Sequence, residues 1–145
     1  MSGLSSDSTI GEEMSTKLYE AVEEDDLNSM MKIFDTYLAK ISYELHTKLE
    51  KYYQTIFYLI FKLIGANVKV EVHTSDGSID AVIESNSKNY IFEFKLDKTE
   101  KIAIDQIMKK EYYKAYEHSS KQIVLVGANI DSETRRLAGW ESKEL

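Results

Sequence analysis

Apolar side chains return at three- and four-residue steps through residues 15–39, at Leu18, Val22, Leu27, Met30, Met31, Ile33, Phe34, Tyr37 and Leu38. That period fits one face of a helix, and the acidic run Glu23 to Asp26 interrupts it, so two short amphipathic helices are predicted. A longer helix is predicted over about residues 43–64, ended by Gly65 as a left-handed cap residue. Its second half, IFYLIFKLI, is apolar nearly all round and must be covered on several sides. Glu50 and Gln54 stand one turn apart just ahead of that half, where the helix passes from surface to interior.

After Gly65 the period changes to two. VKVEVHT (68–74) alternates, SDGS carries an Asp-Gly hairpin signal, and IDAVIE (79–84) alternates again. SNSKN is a second turn, followed by YIFEFKL (90–96), so the three strands predict an antiparallel meander. Thr99 can cap a helix running to about residue 117, and KQIVLVGAN (121–129) reads as a strand covered on both faces. A helical crossover sets that strand parallel to the third. The prediction is an α/β fold with a mixed four-stranded sheet flanked by helices.

Composition changes this picture little. With 145 residues, 43% of them hydrophobic, one core is expected. Residues 1–14 are expected to form a disordered lead, residues 15–40 an acidic helical accessory segment, and residues 41–145 the α/β domain. No apolar run approaches the length of a membrane span, and MSGLSSDSTIGEE lacks the build of a signal peptide. A cytoplasmic protein with no membrane partner is expected. The formal charge of −7 is concentrated in residues 1–50, which hold 11 acids and 4 bases, whereas residues 51–145 hold 14 of each. The second part is neutral enough for a local basic surface. There are no cysteines and only three scattered histidines, so any metal would be held by oxygen. No glycine-rich phosphate loop is present.

The charges inside IDAVIESNSKNYIFEFK are the informative feature. Glu93 and Lys95 share one face of their strand, while Tyr90, Phe92, Phe94 and Leu96 line the other. Asp80 on the preceding strand stands beside Glu93 if the hairpin sets residue 80 opposite about residue 93. A Mg²⁺ or Mn²⁺ ion takes one or two carboxylates, waters and substrate phosphate, which Asp80 and Glu93 can begin to supply, with the Phe94 carbonyl as a third oxygen. Lys95 can then orient a water or a phosphate oxygen, and Glu50 is placed to hold a water of the ion or a second ion. The commoner meaning of E-x-K on a half-buried strand is a solvated face with cross-strand ion pairs. A glycosidase using Asp80 and Glu93 as acid and base ranks below both, because Lys95 opposes a raised acid pKa.

The run IDAVIE…YIFEFK…AIDQIMKKEYYKAY…QIVLVGAN resembles the PD-(D/E)XK nuclease superfamily, in particular the nuclease-like domain that follows an AAA-type ATPase region in many bacterial proteins. The lead LYEAVEEDDLNSMMKIFDTYLAKISYELHTKLEKYYQTIFYLIFKLIG is similar to the helical stretch that precedes the active site there, so the resemblance covers about residues 18–140. It implies a restriction-endonuclease-like fold, a metal-dependent nuclease acting on nucleic acid, with DNA expected, and Mg²⁺ or Mn²⁺ as cofactor. It also allows a homodimer and an ATPase region in the native chain. The family's metal ligands fall on Asp80 and Glu93, its lysine on Lys95, its helix acid on Glu50, its glutamine on Gln106 and the associated tyrosine on Tyr112, with Tyr113 nearer to the face of Gln106. The chain departs from the pattern at Ser78, where an arginine is frequent, and at Gln54, where a histidine often follows the paired tyrosines. The first departure favours the alternative of a non-catalytic module of the same fold that binds nucleic acid or protein.

Gln106, Lys110, Tyr113 and Lys114 would project to one side of the second long helix and are the candidates for a nucleic-acid contact, although the mixed charges around them also suit an ordinary solvated helix. Arg135 and Arg136 are either a further phosphate contact or a solvated pair. His73 and His118 are expected at the surface, and Trp140 as an anchor for the C-terminal segment.

Overall fold

The computed structural model describes residues 2–41, 50–74 and 77–145, with side chains for 11–41, 50–70 and 79–145. Helices α1 (Ser2–Glu23), α2 (Leu27–Lys40) and α3 (Glu50–Leu63) are followed by strands β1 (Asn67–Thr74), β2 (Gly77–Glu84) and β3 (Lys88–Leu96). Helix α4 (Glu100–Lys110), a 3₁₀ turn (Tyr112–Tyr116) and strands β4 (Gln122–Asp131) and β5 (Arg136–Glu144) complete the chain. The sheet runs β1-β2-β3-β4-β5, antiparallel except for the parallel β3–β4 pair that the α4 crossover makes possible.

The period-two pattern decides which side chains meet which layer. On one face Phe92 and Phe94 of β3 and Val124, Val126 and Ala128 of β4 join Phe34 of α2 and Tyr53, Phe57 and Phe61 of α3. On the other face Ile91 and Leu125 meet Ile104 and Ile107 of α4 and Tyr112. Leu18, Met30, Met31 and Phe34 are fully buried in the first of these cores, so α1 and α2 pack onto the sheet as part of one body with it.

Two small polar locks fix that packing. Between α1 and α2, Asp25 adopts a left-handed backbone (φ 56°), and its carboxylate accepts hydrogen bonds from Ser85, from Ser87 at 2.5 Å and from Tyr90 at 2.8 Å. This ties the first interhelical turn to the β2–β3 hairpin. The guanidinium of Arg136 donates to both carboxylate oxygens of Asp35 on α2, at 2.9 and 2.7 Å, which pins the start of β5. Arg136 is therefore a partly exposed tether between elements.

Three expectations change. The sheet has five strands, because RLAGWESKE pairs with β4 through Val124↔Glu144 to Asp131↔Arg136. The helix expected to reach residue 117 stops at Lys110, where Glu111 turns left-handed (φ 55°) and the chain tightens into the 3₁₀ turn. The backbone is already helical from Ser2, through residues whose composition predicts disorder. Gly65 does take the positive φ (92°) expected after α3, whereas the start of that helix before Glu50 lies outside the described residues. Trp140 lies on β5, partly buried against the main core, and His118 is exposed; His73 lies outside the residues with described side chains.

Candidate active site

The site forms where β2 leaves β3. Their pairing runs from Glu84↔Asn89 to Ala81↔Phe92, and the same register continued would set Asp80 opposite Glu93 and Ile79 opposite Phe94. Instead, the backbone N–H of Phe94 donates to Asp80 Oδ2 at 2.8 Å, and the N–H of Leu96 donates to Glu50 Oε2 at 3.0 Å. Two carboxylates thus cap amides on the branch of β3 that has parted from its neighbour. The Asp80 carbonyl, on the β2 branch, accepts a hydrogen bond from Gln54 Nε2 of α3 at 2.7 Å.

Glu93 and Lys95 point to the α4 side of β3. Glu93 is 3% exposed and Lys95 9%, so the pair is buried and does not form a solvated face. Lys95 Nζ lies 3.5 Å from Glu93 Oε1, and the same oxygen accepts a hydrogen bond from Gln106 Nε2 at 2.7 Å. Gln106 reaches it because α4 lies close on the sheet. Gly127, paired with Glu93 across β3–β4, has no side chain, and a Cβ there would stand 2.5 Å from the Glu100 carbonyl oxygen.

The electrostatics are unbalanced. Burial pushes the Glu93 carboxyl up, the charge of Asp80 adds to this, Lys95 pulls it down, and Glu50 raises it again; the outcome is a pKa of about 8. The other oxygen, Glu93 Oε2, is buried without a hydrogen-bond partner among the described residues. A buried carboxyl oxygen with no donor, beside two further carboxylates and one lysine, is a setting that a hard divalent cation would neutralise. Among the described residues no three acidic or histidine side chains form a metal cage. Mg²⁺ does not need one, since it is usually held by one or two carboxylates with waters and phosphate completing the shell. The residues present fit such an ion.

A pH dependence follows from the raised carboxyl. The native state binds a proton at Glu93 that the unfolded chain releases near 4.5, so this contribution to stability is complete below about pH 4.5 and is lost as pH rises through about 8. For metal-free protein in chelator, stability is expected to fall over that interval by a few kcal/mol at most, because a tenfold change in proton affinity is worth about 1.4 kcal/mol. Glu93→Gln should flatten the fall. Denaturant midpoints between pH 5 and 9 check this, and parallel profiles for the two proteins would contradict it.

The residues expected to contact nucleic acid are distributed differently from the sequence pattern. Gln106 and Lys110 share α4, but Tyr113 and Lys114 lie beyond its end on the 3₁₀ turn. Tyr112 is 4% exposed and packs in the core beneath α4, so it is not a surface contact; burial of one member of a Tyr-Tyr pair is what a tight turn against that core requires. Tyr113 packs partly buried against the same cluster, and Lys114 pairs with Glu111 at 2.6 Å. Gln54, marked in the sequence as a departure from the family pattern, has a partner that the sequence does not indicate, the Asp80 carbonyl. Its signal was a polar amide at the edge of an otherwise apolar helical stretch.

Comparison with known proteins identifies a family: residues 48–140 match the PD-(D/E)XK nuclease superfamily. The chain belongs to that superfamily. The match spans α3 through most of β5 and so includes every element of the fork. A relative from Azotobacter chroococcum mcd 1, described as an uncharacterized protein in vnfD 5'region, is 27% identical over 136 residues. That alignment covers 89% of this chain and 26% of the relative, so the chain spans about a quarter of its length. No solved structure matches the chain. The sheet with helices on both faces is consistent with the restriction-endonuclease-like fold of this superfamily, with one strand more than the sequence pattern predicted. Among the described residues no helix is long and apolar enough to cross a membrane.

Proposed function

We propose that this PD-(D/E)XK domain is a Mg²⁺- or Mn²⁺-dependent nuclease that hydrolyses phosphodiester bonds, with DNA as substrate. The observation that carries the reading is the fork itself, where Asp80, Glu93 and Lys95 come together from two neighbouring strands with one carboxyl oxygen of Glu93 unpartnered. Asp80 and Glu93 would hold the cation. Phe94 supports them, because extended backbone sends a residue's N–H and C=O to the same edge, and its N–H faces Asp80. When bound, the ion lowers the pKa of water and neutralises charge growing on the phosphate.

The chain's own residues do the rest of the work in this reading. Lys95 presents its ammonium to a non-bridging phosphate oxygen or orients the attacking water. Gln106 holds Glu93 Oε1 and so fixes the direction of the second oxygen. Glu50 keeps the free branch of β3 in place through Leu96, and its charge adds to the field at Glu93. Lys110, Tyr113 and Lys114 remain candidates for gripping the nucleic-acid backbone at the end of α4.

The test is incubation of the protein with plasmid DNA and either metal, alongside Asp80→Ala. Nicking or cutting that requires the metal, stops with chelator and is absent in the variant is the expected result. A wild type as inert as Asp80→Ala and Lys95→Ala on every nucleic acid tried would withdraw catalysis. If calorimetry then also showed no uptake of Mn²⁺, the non-catalytic binding module would take its place.

A further inference from the structure

We propose that Gln54 is a positioning residue of this site: its side-chain amide fixes Asp80 at the fork, so that the aspartate carboxylate stays beside Glu93. Gln54 is 5% exposed, and the other buried side chains of α3, Tyr53, Phe57 and Phe61, are all aromatic. A primary amide in such surroundings costs free energy unless it is hydrogen-bonded. It donates at 2.7 Å to the Asp80 carbonyl, 26 positions away in sequence, and so bonds the main chain of the residue whose side chain accepts the Phe94 N–H.

The need for such a bond comes from the fork. Neighbouring strands are normally spaced by ladder hydrogen bonds, and the β2–β3 ladder ends at Ala81↔Phe92, one residue short of Asp80. Beyond that point α3 bonds both branches, β2 through Gln54 and β3 through Glu50, whose Oε2 accepts the Leu96 N–H. One helix carrying two polar side chains a turn apart thereby joins the Asp80–Phe94 bond in setting the separation of the strands where their ladder has ended. The consequence for a bound cation rests on the nuclease reading above; the consequence for the position of Asp80 does not.

Amide hydrogen exchange in metal-free protein and Mn²⁺ calorimetry test the two consequences separately. In Gln54→Leu, which fills similar space without a donor, exchange at the Phe94 amide should quicken about five- to ten-fold, the scale of one lost hydrogen bond, while Ile91 and Leu125 keep their protection. Mn²⁺ affinity should fall roughly ten-fold, as when a group that orients a metal ligand is removed. Gln54→His, whose Nε2 can donate from a similar reach, should restore both. Gln54→Glu, isosteric with an acceptor in place of the donor, should repeat the leucine result and serves if the leucine variant does not fold. Unchanged protection at Phe94 would overturn the proposal, as would a loss spread evenly over the core amides. If the wild type takes up no Mn²⁺, the metal reading fails while the exchange data still decide the role of Gln54.

Discussion

Lys95→Ala is expected to lower the rate of metal-dependent DNA cleavage by roughly 10²–10³-fold, the scale on which one preorganised electrostatic contact to a transition state contributes. The argument begins from burial. A lysine left 9% exposed must have its charge balanced, and here the near partner is Glu93, 3.5 Å away. Glu93 also faces the charge of Asp80 and, in the proposed reading, the cation, so its carboxylate is not given over to the lysine alone. An ammonium held in that way keeps attraction to spare for an incoming phosphate. Lys95→Arg should not rescue the rate, because a planar guanidinium on a longer stem cannot stand where a compact, buried ammonium lies 3.5 Å from Glu93 Oε1. The decisive comparison is single-turnover cleavage at saturating Mn²⁺ together with DNA affinity. A large drop in rate with affinity changed only a few-fold supports the assignment, and a Lys95→Ala protein that cleaves like wild type sinks it. Thermal melting separates this from misfolding, since truncation leaves the buried Glu93 without its cationic neighbour.

The central triad could be read from sequence because its geometry depends on short-range rules. Strand alternation places Glu93 and Lys95 on one face, and the length of the ESNSKN turn fixes a register that runs to Ala81↔Phe92, one step short of Asp80 and Glu93. The change of period at Gly65 separates the helical part from the sheet for a similar reason, since left-handed backbone at that glycine carries little cost. The features that could not be read depend on longer-range facts. Strand β5 lies at the sheet edge with mostly exposed or half-exposed residues, so its pattern RLAGWESKE lacks the alternation that a buried face imposes. The end of α4 is marked by neither glycine nor proline, because Glu111 takes the left-handed conformation itself. The fork at Asp80 leaves no trace in composition, and with it the carboxylate caps on Phe94 and Leu96 and the bond from Gln54 were out of reach. A residue that satisfies backbone groups on a distant strand announces itself only by being polar where the helix is otherwise apolar.

Phe57→Ala is expected to cost about 3–5 kcal/mol of folding stability, a large share of the roughly 5–15 kcal/mol typical of a domain. Phe57 is fully buried, with ring centroids 5.2 Å from Phe34, 4.4 Å from Phe61, 4.7 Å from Phe92 and 5.0 Å from Phe94. Removing it deletes one ring and leaves four without a common neighbour; aromatic pairs add about 0.5–1.5 kcal/mol each beyond the area they bury. Phe57→Leu keeps much of the volume and should cost less than half as much. The effect bears on the site as well as the core. Phe94 stands between Glu93 and Lys95 on β3, and its ring is packed against Phe57 on the opposite face of the sheet. Urea unfolding should show a lower midpoint for Phe57→Ala at an unchanged slope, and in folded variant protein Mn²⁺ affinity should weaken modestly as the E-x-K strand gains freedom. A loss below about 1 kcal/mol would mean that the neighbouring rings close over the gap. Rigid aromatic backing would then no longer account for how β3 holds two charged side chains inside the protein beyond the point where β2 departs.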